Sequence, residues 1–138
     1  MPPHRTPAGF QELPHTADVA LRVWGPDDAS LFTQAALGLN AIAGVRTGSR
    51  RVLREIDLHQ NDLPSLLVAF LSELVFLQEN EHLAFDKLDL QVMGTHVSGQ
   101  LAGADILSLE RPIKAVTFHN LMILTTEHGF EIQVVFDV

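Results

Sequence analysis

The stretch NDLPSLLVAFLSELVFLQEN, residues 61–80, decides the fold. Leu63, Leu66, Leu67, Phe70, Leu71, Leu74 and Leu77 recur at spacings that gather them on one broad helical face. Asn61 or Asp62 can accept the first unpaired backbone N–H groups, and Pro64 suits the first turn, where its missing N–H is no loss. Such a stripe is core, and its destination is packing on a sheet.

The flanking sequence supplies the strands. Phe10–Leu13 reads as a short strand before Pro14, and Val19–Trp24 alternates, with Val19, Leu21 and Val23 on one face. After Gly25-Pro26, Asp27 or Asp28 caps a first helix whose stripe is Leu31, Ala35, Leu39 and Ile42, widened by Phe32 and Ala36 and stopped at Gly44. Val52, Arg54, Ile56 and Leu58 suggest another strand. Beyond the second helix, Leu88, Leu90 and Val92 alternate, and Gly94-Thr95 offers a turn to a partner around His96–Leu101. Ala104–Leu109 fits either a short helix or a loop. Ala115–Leu124 and Phe130–Val138 form a last hairpin joined near His128-Gly129, with Asp137 on the face opposite Phe130, Ile132, Val134 and Phe136. The expectation is an α+β fold: a single domain over residues 10–138, with a mixed β-sheet and two main helices packed on one side. Residues 1–9, with three prolines and a glycine, read as a flexible arm.

Composition narrows function. The chain has 138 residues, 46% of them hydrophobic, enough for one core. Its 17 acidic residues against nine Lys and Arg give a net charge of −8, which disfavours tight direct nucleic-acid binding. Arg46, Arg50, Arg51 and Arg54 cluster, but read as solvated positions leading into a strand. With no cysteine, disulfides and thiolate metal sites are excluded. No apolar run approaches a membrane span and the N-terminus lacks a signal-peptide layout, so a cytoplasmic location is expected.

Four places can carry chemistry. In His15-Thr16-Ala17-Asp18, Asp18 taken alone is a turn residue bonding its own backbone and His15 a packing residue. Asp137 and Val138 bring carboxylate and carbonyl oxygens to the end of the last strand. If Asp18 lies beside them, the cluster suits Ca²⁺, Mg²⁺ or Mn²⁺; otherwise Asp137 is an ordinary exposed acid. Lys114 enters a strand as an edge charge, or reaches toward phosphate or the acids. The seven histidines, at 4, 15, 59, 82, 96, 119 and 128, show no HExxH or HxH spacing and read as surface or packing residues. Nucleophile elbows and phosphate-binding glycine loops are missing.

Together these segments resemble the archease family. The resemblance spans nearly the whole chain after the arm. It rests on His15-Thr16-Ala17-Asp18 with the strand to Gly25, Leu31-Phe32 with Ala35-Ala36, Leu66-Leu67 leading to Leu71-Ser72-Glu73-Leu74, Lys114–His119, and Phe136-Asp137-Val138. It implies a non-enzymatic, metal-binding activator of the GTP- and manganese-dependent RNA ligase that joins 3′-phosphate or 2′,3′-cyclic-phosphate ends to 5′-hydroxyl ends, promoting ligase guanylylation and multiple turnover. The resemblance further implies Asp18, Asp137 and Val138 as metal ligands, for Ca²⁺ ahead of Mg²⁺ or Mn²⁺, with Lys114, Glu73 and His15 as further functional residues. Pro14 stands where family members often carry an acid, which removes one oxygen from the expected set. Two rivals are a free-standing metal-dependent hydrolase or nuclease and a general chaperone-like binding module. The first requires turnover by the protein alone; the second requires client binding that ignores Asp18, Asp137 and divalent cations.

Overall fold

The computed structural model describes residues 6–14, 18–117, 123–127 and 129–138. Its elements run β1 (Gly9–Pro14), β2 (Val19–Gly25), α1 (Asp28–Ala43), β3 (Val45–His59), α2 (Leu63–Asn80), β4 (Leu83–Met93), β5 (His96–Leu109), β6 (Ala115–Thr117), β7 (Leu124–Thr126) and β8 (Gly129–Asp137). The α+β class, the single domain and the two main helices are as the sequence indicates. The strands, all antiparallel in their pairing, divide into two sheets. One is ordered β1-β2-β8-β6, with β7 also paired to β8; the other is β3-β5-β4. The helices bind the sheets together: α1 packs on β2 and β4, and α2 on β4 and β6. One continuous core results, with Leu21, Phe32, Leu66, Phe70, Leu101 and Phe136 all buried in it.

The helix ends follow local chemistry. Asp27 caps α1 and Asp62 caps α2, each carboxylate accepting at 2.8 Å from the backbone N–H three residues on, Ser30 and Ser65. Gly44 ends α1 at φ 63, and its N–H reaches the Ala41 and Asn40 carbonyls. At the end of α2 that left-handed role falls to His82, φ 55.

These caps give a prediction. The Ser30 hydroxyl and then the Ser30 N–H hold Asp27 below the ordinary carboxylate range; the Ser65 N–H and then its hydroxyl do the same for Asp62. The unfolded chain therefore takes up these protons first, so stability is present above about pH 4. It declines as pH falls through the lowered folded values. Asp28 has the opposite sign, pushed up by burial and then by the Asp27 charge, and offsets part of the loss. Asp27→Ala should cost about 1 kcal/mol at neutral pH and flatten the acid limb of a urea-midpoint profile.

Two segments differ from their sequence reading. Ala104–Leu109 is neither helix nor loop but the end of β5, a strand of 14 residues. Ala104 lies across from Arg51 on one side and Ala84 on the other, so pairing on both edges overrides a weak local preference. Gly103 makes the close approach feasible, since a Cβ there would overlap the Ala84 carbonyl. Ala115–Leu124 contributes two short strands, β6 and β7, with residues 118–122 between them outside the described set. Of the expected arm, residues 1–5 lie outside the described set, while the Thr6 carbonyl accepts from Trp24 Nε1 at 2.9 Å.

Candidate functional site

The sheet register gathers most of the predicted residues at one end of the five-stranded sheet. β8 runs between β2 and β6. Val19 pairs with Phe136, so Asp18, one residue before Val19, stands in register with Asp137, one residue after Phe136. On the other side Ala115 pairs with Asp137, and the Lys114 N–H donates to the Asp137 carbonyl at 2.8 Å. Asp18 just before β2, Asp137 at the end of β8 and the backbone of Lys114 just before β6 thus occupy adjoining positions at the ends of three neighbouring strands, with Val138 directly after β8.

Each position has a local cause. Phe136 is fully buried and anchors the end of β8 in the core. Side chains alternate across a strand, so Asp137 lies on the opposite face, where it is half-buried, as is Asp18. Ile113, 2% exposed, plugs into the core and delivers the exposed Lys114 to the start of β6. Val138 packs against the core. The Asp137 carbonyl accepts from the Lys114 N–H, and the Asp18 and Asp137 carboxylates and the Val138 carbonyl make up the rest of the oxygen set at this end of the sheet. All are hard oxygens, a set that fits Ca²⁺ or Mg²⁺ better than soft metals.

Lys114 also lines a groove of about 270 Å³ between α2 and β6, with Ser72, Val75, Phe76 and Glu79 among its walls. Glu73 is half-buried on α2 and does not line it; Glu79, one turn and a half further on, is the acid that does. His15, Thr16 and Ala17 lie outside the described residues, as do Phe118 and His119.

The arginine cluster is partly neutralised. Arg51 makes a two-pronged contact with Asp86, 2.8 and 3.2 Å, and Arg54 reaches Glu81 at 3.1 Å. Asp86 is held low chiefly by the Arg51 hydrogen bond. These exposed pairs add little stability, but they remove two cations from any phosphate-binding patch.

The sequence reading missed a second grouping. On β3 and β5, Asp57, His59 and His96 bring one ligand atom each within 4.8 Å of one another. Asp57 and His59 are two apart on a strand, a spacing that places them on one face, and that signal was available. His96, 37 positions further on by number, joins them only through the pairing of β3 with β5.

Among the described residues no helix is long and apolar enough to cross a membrane. Comparison with known proteins places the chain among named relatives. The protein archease of Methanosarcina barkeri is 36% identical, over 94% of this chain and 95% of its own. That of Thermococcus gammatolerans is 31% identical, over 83% and 87%. The solution structure of Methanobacterium thermoautotrophicum protein 1598 superposes with a TM-score of 0.68 at 25% identity, covering 94% of this chain and 99% of that one. A Thermotoga maritima archease crystal structure shares the fold, TM-score 0.70 at 20% identity, with both chains fully covered. A profile of the Archease protein family (MTH1598/TM1083) matches residues 10–138, and with these relatives it shows that this chain belongs to the archease family.

Proposed function

We propose that this archease is a protein cofactor of an RNA ligase, raising turnover of the GTP- and manganese-dependent enzyme that joins 3′-phosphate or 2′,3′-cyclic-phosphate ends to 5′-hydroxyl ends. The observation that carries this reading is the convergence of Asp18, Asp137 and Val138 at one end of the five-stranded sheet, with Lys114 hydrogen-bonded alongside. Asp18, Asp137 and the Val138 oxygens would hold one divalent cation, Ca²⁺ by preference. When bound, it supplies positive charge, and a contact for phosphate oxygens, on an otherwise acidic surface. The two carboxylates fix its place, and the Lys114 N–H, by engaging the Asp137 carbonyl, fixes the backbone that carries one of them. A net charge of −8 gives the chain little to hold RNA with, so the partner surface is protein and the RNA stays with the ligase. The ligase carries the chemistry; the archease acts on its guanylylation and its return to the active state, in the cytoplasm.

The test is multiple-turnover ligation by the cognate ligase with GTP and Mn²⁺, with and without this chain. Acceleration of product formation beyond one equivalent of ligase is the expected outcome. A competent ligase whose rate does not respond would overturn the reading. Metal-dependent RNA cleavage by the isolated chain would overturn it in favour of a hydrolase.

A further inference from the structure

We propose that Asp57, His59 and His96 form a second metal site, on the three-stranded sheet, for a borderline transition-metal dication of the Zn²⁺ class. The site does not depend on the ligase reading and shares no residue with the oxygen-rich end of the other sheet.

The strand pairing builds it. The Gln60 N–H donates to the Thr95 carbonyl at 3.1 Å, which makes that cross-strand pair the hydrogen-bonded kind. Hydrogen-bonded and open pairs alternate in an antiparallel ladder, so the next pair, His59 with His96, is the open kind, whose side chains lie closer together. Accordingly the two imidazoles stack with centroids 3.9 Å apart and planes inclined by only 10°. Both rings turn the same nitrogen toward one carboxylate oxygen. His96 Nε2 lies 2.8 Å from Asp57 Oδ1, and His59 Nε2 lies 3.6 Å from the same atom.

The donor chemistry and spacing select the ion. Donors bound at about 2.0–2.2 Å to a tetrahedral ion sit roughly 3.4 Å from one another. The three ligand atoms already lie within 4.8 Å of one another, so small side-chain rotations close the set. Two imidazole nitrogens and one carboxylate suit Zn²⁺, Cu²⁺, Ni²⁺ or Co²⁺, not Ca²⁺ or Mg²⁺, which take oxygen. In the metal-free protein His96 Nε2 and Asp57 Oδ1 are a hydrogen-bonding pair 2.8 Å apart, and the cation replaces that contact. The side chains of Asp57, His59 and His96 are 68%, 70% and 35% exposed, so water completes the coordination. That makes the ion exchangeable rather than a closed structural staple.

The experiment titrates the tag-free full chain with Zn²⁺ by calorimetry, with Co²⁺ by visible absorption, and with Ca²⁺ as the contrast. Expected is one saturable Zn²⁺ equivalent whose affinity falls at least about tenfold in His59→Ala and in His96→Ala. His82→Asn, which suits the left-handed backbone at that residue, should leave it intact. In the wild-type protein, imidazole NMR signals of His59 and His96 should be the ones that move on Zn²⁺ addition, a readout that needs no variant to fold. No saturable Zn²⁺ binding would overturn the proposal. So would binding undiminished in both alanine variants, or Zn²⁺ shifts confined to other histidines.

Discussion

Phe70→Ala should lower stability by about 3–5 kcal/mol, out of a total that for domains of this size is about 5–15 kcal/mol. Phe70 is fully buried in the middle of α2, and its ring meets that of Phe32 on α1 at a centroid distance of 5.4 Å and a tilt of 42°. That contact joins the two helices, and the helices join the two sheets. Removing the ring leaves a cavity walled by elements that are themselves pinned, so little collapse can offset the loss. In a thermal scan the midpoint should drop by roughly 10–20 °C. Phe76→Ala is the internal contrast: it lies on the same helix but is 52% exposed, and should cost far less. Equal losses for the two would mean that the helix pair is not the centre of the core.

Asp137→Asn and Asp18→Ala should each reduce stimulation of ligation at least about tenfold while leaving the thermal midpoint close to wild type. Asp137→Asn preserves shape and removes only charge. The backbone carbonyl of residue 137 still accepts from the Lys114 N–H, so β6 stays paired to β8. Any loss of stimulation then reports on the carboxylate. Restoration of part of the loss by excess divalent cation would identify the defect as weakened metal affinity. Full stimulation by both variants would remove this end of the sheet from the proposed function, whatever the archease does to the ligase. His59→Ala should stimulate normally in the same assay, because the histidine site lies on the other sheet.

Much of the fold was legible because its signals are local. The leucine stripe of residues 63–77, the Asp62 cap with Pro64, and the alternation in β2 and β8 are written within a few turns or strand steps, and the structure keeps them. The Gly94-Thr95 turn is kept too, with Gly94 at φ 61 and Met93 paired to His96. Ala104–Leu109 was not legible. Ala, Asp, Ile, Leu, Ser and Leu in that order favour no single state, and both flanking strands come from elsewhere in the chain.

The candidate sites divide in the same way. Sequence by itself determined which oxygens exist near the end of β8, which residues form the two helices, and that an acidic, cysteine-free chain would offer carboxylate and imidazole rather than thiolate to a metal. The register of β2 against β8, which sets Asp18 across from Asp137, and of β3 against β5, which stacks His59 on His96, was decided only in the tertiary structure. The reason is physical. A strand's own alternation fixes which face each side chain takes. Which residue stands opposite it is fixed by burying the apolar faces of whole sheets, a condition met by all the strands and helices together and written in none of them alone.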